Sequence, residues 1–83
     1  MRIRYFAWLK QRVGCAEETL ELPPEIASVA ALKAYLAQRH AGFAEALDSP
    51  GVVRCAVNQD YVPEDAPLRP GDEVAFFPPV TGG

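Results

Sequence analysis

Apolar and polar residues alternate from Arg2 to Lys10, with Ile3, Tyr5, Ala7 and Leu9 on one side and Arg2, Arg4, Phe6 and Trp8 on the other. This period of two predicts a β-strand whose second side is half charged and half aromatic. After a turn at Gly14 the alternation returns in Glu18-Thr19-Leu20-Glu21-Leu22, which predicts a β-hairpin ending at the Pro23-Pro24 breaker. The period then changes. Val29, Leu32, Tyr35 and Leu36 recur at helical spacing behind Ser28, an N-cap residue, so a helix is predicted from Val29 to His40 with Gly42 as its C-cap. Phe43-Ala44-Glu45-Ala46-Leu47 adds one helical turn before Ser49-Pro50-Gly51 breaks the pattern.

Alternation resumes from Val52 to Asn58, with Val53, Cys55 and Val57 on one face and Val52, Arg54 and Ala56 on the other, which sends Cys55 into the core. Tyr61-Val62 is a very short strand and residues 68–72 a turn. The last strand is Glu73 to Phe77, with Val74 and Phe76 inward and Phe77 outward. The predicted order is β-β-α-β-(β)-β, an α+β arrangement. One main helix covers one face of a mixed sheet of four to five strands, and the other face stays open. The first and last strands, at opposite ends of the sequence, can pair in parallel at the sheet centre.

Eighty-three residues allow a single core, and 49% hydrophobic with 23% charged residues is ordinary globular composition. The net charge is −3 and the eight Lys and Arg residues are scattered, so no basic stripe exists for nucleic acid. No apolar run is long enough to span a bilayer, and the start reads into a strand and not a signal peptide, so the expected location is cytoplasmic and no membrane partner is expected. Cys15, expected in an exposed turn, and Cys55 are expected as thiols. With one histidine and no CxxC, no metal site is expected.

Catalytic chemistry is hard to assemble. His40 sits where it would complement the end of the helix dipole, Glu17, Glu18, Asp60, Glu64 and Asp65 read as solvated carboxylates, and there is no phosphate-binding glycine loop. The chain is expected to have no active site of its own and to bind no cofactor. Two features remain. Phe6, Trp8, Phe77 and Tyr61 are expected on the open face as an apolar docking surface. The sequence ends on Gly82-Gly83, and a free α-carboxylate is ionised at neutral pH and can attack the α-phosphorus of ATP held by another protein. Glycines make such an arm thin, and Pro78-Pro79 would hold it off the sheet. From the dipeptide alone, a frayed end is the better explanation.

The stretches Ala56-Val57-Asn58-Gln59-Asp60-Tyr61-Val62 and Leu68-Arg69-Pro70-Gly71-Asp72-Glu73-Val74-Ala75-Phe76-Phe77-Pro78-Pro79-Val80-Thr81-Gly82-Gly83 change that balance, because they closely resemble the small-subunit family of molybdopterin synthase. The resemblance covers the whole chain in element order. It implies the β-grasp, ubiquitin-like fold, with a β-grasp domain over residues 1–77 and a flexible tail over 78–83. It also implies a sulfur carrier. Gly83, preceded by Gly82, would be adenylated by an E1-like adenylyltransferase that uses ATP. A sulfurtransferase donor would convert it to a thiocarboxylate (1-thioglycine), which passes sulfur to cyclic pyranopterin monophosphate in molybdenum cofactor biosynthesis. Phe6, Tyr61 and Phe77, with Pro78, Pro79, Val80 and Thr81 of the tail, would contact the large subunit in a heterotetramer. A related carrier for thiamine thiazole synthesis, a ubiquitin-like protein modifier and an interaction module with an inert tail are the alternatives; the two carriers also end in Gly-Gly but usually lack the FFPPVTGG run.

Overall fold

A computed structural model describes residues 1–48 and 53–78. In chain order the elements are β1 (Arg2–Tyr5), α1 (Trp8–Val13), β2 (Glu17–Thr19), α2 (Val29–Arg39), α3 (Ala41–Leu47), β3 (Arg54–Val57), β4 (Asp60–Tyr61) and β5 (Glu73–Phe77). They form one mixed sheet in the order β2-β1-β5-β3-β4. β1 and β5 run parallel, Ile3 opposite Val74 and Tyr5 opposite Phe76, while the outer pairs are antiparallel. The expected central pairing of first and last strands is therefore present.

Alternation along the central strands produces two unlike faces. Ile3 and Tyr5 of β1, Cys55 of β3 and Val74 and Phe76 of β5 point inward and share one buried cluster with Val29, Leu32 and Leu36 of α2, Leu9 of α1 and Phe43 and Ala46 of α3. Phe43 meets Phe76 edge-on with ring centroids 5.1 Å apart, and Tyr5 stacks on Phe76 at 6.3 Å. Each such buried side chain contributes about 1.5–3 kcal/mol in transfer terms. Ser28 caps α2 as expected, its Oγ accepting from the Ala31 N–H at 3.2 Å.

Several expectations are corrected. The first strand does not continue to Lys10. Ala7 takes φ 55°, and the chain coils from Trp8 into α1, which keeps Leu9 buried and closes on Gly14 at φ 98°. Leu9 lies four residues from Tyr5 and is inward on either reading, so the period of two could not separate strand from helix here. Consequently α1 joins α2, the expected main helix, and α3, the expected further helical turn, over the inner face. β2 is shorter than expected and lies one residue earlier, and β4 is Asp60–Tyr61, not Tyr61–Val62. Gly42 does not cap α2: His40 does so in an extended conformation, and Gly42 lies inside α3. Val52, expected to begin β3, lies outside the described residues.

The VNQ and PGDE stretches prove to be one clasp. Asn58 and Gln59 turn between β3 and β4 with φ of 50° and 73°, the left-handed pair that a two-residue hairpin of type I′ requires. The Asn58 side chain donates to Asp72 Oδ1 at 3.0 Å and accepts from the Glu73 N–H at 3.1 Å, while Asp72 Oδ2 accepts from the Arg69 N–H at 2.8 Å. These bonds tie the β3–β4 hairpin to the start of β5 and fix the register of the strand that leads to the tail.

Candidate functional site

The open face of the sheet is built by register. Residues directly opposite across a ladder share a face, so Arg4 aligns with Ala75, Ala75 with Ala56, Ala56 with Tyr61, and Phe77 with Arg54. Phe6 continues β1 by donating its N–H to the Phe76 carbonyl at 3.0 Å, and it follows Arg4 by two residues on the same side. The floor of the patch is thus Ala56 and Ala75, and its raised parts are Phe6, Tyr61 and Phe77. Tyr61 is 81% exposed, with its ring centroid 5.4 Å from that of Phe77. Phe6 is 39% exposed beneath the Arg4 guanidinium, 4.9 Å from its ring centroid, a cation–π contact worth about 0.5–1 kcal/mol at an exposed site.

Toward β2 the same face becomes charged. Arg2 bonds Glu17 at 2.6 Å and approaches Glu73 at 3.6 Å, and Arg4 reaches Glu73 at 3.6 Å and Glu17 at 3.9 Å. The open face therefore has a self-neutralised half on β2 and β1 and an apolar half on β5, β3 and β4, where the last strand delivers the chain to Pro78. Tyr61 and Phe77 meet ring to ring on this face, and Phe6 stands at the end of β1, the neighbouring strand to β5. Trp8 is not on this face: it belongs to α1, 36% exposed, with the Arg12 guanidinium 5.9 Å from its ring centroid. Pro78 is half-buried at the end of β5, while Pro79, Val80, Thr81, Gly82 and Gly83 lie outside the described residues.

The titratable groups elsewhere are spent on structure. Glu18 is not a solvated carboxylate. It accepts from the Tyr5 hydroxyl at 2.8 Å and from Arg39 Nε at 3.1 Å, and His40 Nε2 lies 2.6 Å from its Oε2. Burial pushes its carboxyl up, but hydrogen bonds from Tyr5, His40 and Arg39 and the charge of His40 outweigh this and hold it below the usual carboxylate range. His40 is accordingly a strap between α2 and β2. Burial, then the hydrogen bond and charge of Glu18, push the Tyr5 hydroxyl well up. Glu64 likewise binds Lys33 at 2.7 Å, and Lys33, only 8% exposed, also donates to the Val53 carbonyl at 3.3 Å. Burial pushes the Cys55 thiol up to about 11, with the Lys33 charge opposing, so it is not a thiolate at neutral pH. Cys15, expected exposed, is half-buried, and burial followed by the Glu18 charge pushes its thiol up too. Among the described residues no three His, Cys, Asp or Glu side chains could hold a metal ion, and no helix is long and apolar enough to cross a membrane.

The Glu18 strap makes a prediction about pH. A carboxyl whose folded pKa is depressed contributes stability above its ordinary value of 4.5 and loses it as pH falls through the lower folded value. Glu18→Gln should cost about 1–2 kcal/mol at pH 7, because the amide accepts fewer of the three donors. It should also flatten the acid limb of the stability curve. Thermal melts from pH 7 to pH 3 check this, and an unchanged acid limb would exclude the strap as its source.

The residues that sequence reasoning missed are the partners of the aromatic patch: Arg4 lying on Phe6, and Ala56 and Ala75 forming a flat floor. Alternation had placed Arg4 and Ala56 outward on their strands, but cross-strand register, which sequence periodicity does not contain, is what aligns them.

Comparison with known proteins follows the geometry. The ThiS family matches residues 3–83. The molybdopterin synthase sulfur carrier subunit of Escherichia coli (strain K12) is 41% identical over 83 residues, covering all of this chain and 99% of that protein. Among solved structures, a Pyrococcus furiosus protein assigned as molybdopterin converting factor subunit 1 superposes with a TM-score of 0.80 at 40% identity, over 95% of each chain. A chain in the complex of subunits 1 and 2 of molybdopterin-converting factor from Helicobacter pylori matches with a TM-score of 0.65 at 25% identity, over 99% of this chain and 96% of that one.

Proposed function

The chain belongs to the ThiS family, with molybdopterin synthase sulfur carrier subunits among its full-length relatives, and from that membership we propose that it is the sulfur-carrying small subunit of a molybdopterin synthase. The observation that carries this reading is that sulfur carrier subunits of molybdopterin synthase align with the whole of this chain, at 34 to 41% identity, within a family match that runs through Gly82 and Gly83. The alternative of an inert interaction module leaves the match over the tail unexplained.

In this reading the chain supplies a carboxylate and a docking face, and its partners supply the activation. The Gly83 carboxylate attacks the α-phosphorus of ATP on an E1-like adenylyltransferase, and pyrophosphate leaves. The terminal sulfur of a persulfide on the sulfurtransferase donor then attacks the acyl carbon of the adenylate and expels AMP, giving an acyl disulfide. A thiol on the activating side attacks the donor-side sulfur of that bond, which releases the thiocarboxylate and leaves a disulfide behind. Phe6, Tyr61 and Phe77 seat the domain on the large synthase subunit, two small subunits flanking a large-subunit dimer. Pro78 through Thr81 line the path along which Gly82-Gly83 reaches cyclic pyranopterin monophosphate. Two rounds build the dithiolene of molybdopterin. Lacking Cβ atoms, the two glycines fit a narrow channel that any side chain would block. The cytoplasm, where the activating partner has ATP, is the proposed location.

Incubation with the activating enzyme, ATP and a sulfur donor should raise the intact mass by the difference between one sulfur and one oxygen, localised to Gly83 by fragmentation. An unchanged mass in the presence of active partner would sink the carrier reading.

A further inference from the structure

Five of the eight Lys and Arg side chains of this chain are committed. Arg2, Arg4, Arg12, Lys33 and Arg39 each have a carboxylate partner at distances from 2.6 to 3.9 Å. Among the described residues, Lys10, Arg54 and Arg69 have none. Of these three, only Arg54 stands on the open sheet face. It is exposed, directly opposite Phe77 on the neighbouring strand, and two residues before Ala56 on the same side of β3. Register thus puts a guanidinium with no carboxylate partner among the described residues beside the last residue of β5, and next to the aromatic pair of Phe77 and Tyr61.

The contrast with the other half of the face is informative. There the strand-borne arginines are neutralised from neighbouring strands by Glu17 and Glu73. An arginine left unmatched at the border of an apolar patch is the arrangement that recognises a carboxylate on a docking protein: the planar fork bonds a carboxylate in two places, and partial desolvation by the surrounding apolar contact strengthens it. Its net effect also runs against the charge of the whole chain, which is −3. The geometry points to Arg54 as a specificity contact at the root of the tail, pairing with an acidic side chain that the large subunit presents beside its apolar seat for Phe77 and Tyr61. This rests on the docking face assigned under the proposed function.

The test measures association of the purified full chain with its cognate large subunit by stopped-flow fluorescence at low and high salt. Arg54→Glu should slow association about tenfold at low salt, with the gap closing at high salt, while Arg54→Lys stays within about threefold of the wild type. Arg69→Glu is the control. It makes the same change in net charge in the turn before β5, at the far end of that strand, and should bind as the wild type does. Circular dichroism should show all variants folded, since both side chains are exposed. Equal slowing by Arg54→Glu and Arg69→Glu would reduce the effect to net charge and overturn the inference. So would an unchanged rate for Arg54→Glu when Tyr61→Ala weakens binding, a result that leaves the docking face intact. If Tyr61→Ala has no effect either, the docking face itself fails, and this inference with it.

Discussion

A chain shortened by Gly83 alone should melt with the full-length protein and transfer sulfur at least about a hundredfold more slowly. Among the described residues Phe76 is the last of the buried cluster, and β5 ends at Phe77, six residues before Gly83. The shortened chain still ends in a glycine carboxylate, so the chemical group survives and only its reach changes, by about 3.5 Å. A misplacement of about 1 Å can cost on the order of a hundredfold when reacting atoms must be held in line, and no side chain on this arm could compensate. Docking should persist, because Phe6, Tyr61 and Phe77 are untouched. Thiocarboxylate yield by mass, product formation with the large subunit, and binding together check the expectation. Transfer near the full-length rate would remove Gly83 from the chemistry.

The second large effect concerns stability and a glycine with no part in transfer. A Cβ built on Gly42 would lie 1.9 Å from the Arg12 carbonyl oxygen and 2.6 Å from its carbonyl carbon. Both atoms are backbone, so no rotamer change relieves the overlap, and Gly42→Ala must force α3 away from the end of α1. That displacement pulls on Phe43, the next residue, whose ring packs edge-on against both Tyr5 and Phe76. Overpacking of well-fitted sites costs about 1–3 kcal/mol, and a backbone clash belongs at the upper end. A penalty of about 3 kcal/mol lowers the melting temperature of a domain this size by on the order of 15 °C. Alanine is otherwise the better helix former, by about 1 kcal/mol, so a neutral or stabilised variant would show that α1 and α3 are not in contact at this point.

The comparison of sequence with structure turns on which signals were local. Val29, Leu32 and Leu36 behind Ser28 stated a helix and its start unambiguously, and Glu73 to Phe77 alternated cleanly because one of its faces is buried and the other open. The segment from Phe6 to Val13 was misread because Ile3, Tyr5 and Leu9 are inward on either reading. The deciding cues were Leu9 and Val13 four apart, basic Lys10 and Arg12 near the end, and Gly14 just beyond it, together the signature of a short helix. Gly42 reads as a cap because glycine after a helical run usually is one. Its actual role is a contact with Arg12 thirty residues earlier in the chain, which no local pattern encodes. Glu18 looks solvated for the same reason, since its partners Tyr5, Arg39 and His40 are distant in sequence, whereas Glu64 is exposed as expected and only its bond to the distant Lys33 is unforeseen. The aromatic patch was legible from strand alternation, except that Trp8 went with the misread helix.

Parallel pairing of β1 with β5 has a consequence for how the protein comes into being. The strand at the centre of the sheet is the last element of the chain, and it supplies Val74 and Phe76 to the core and both ladders that join β1 to β3. During synthesis, β1 emerges first and has no central neighbour until nearly every residue has been translated. A product terminated before β5 therefore lacks the centre of the sheet and, with it, the open face that Phe77 completes.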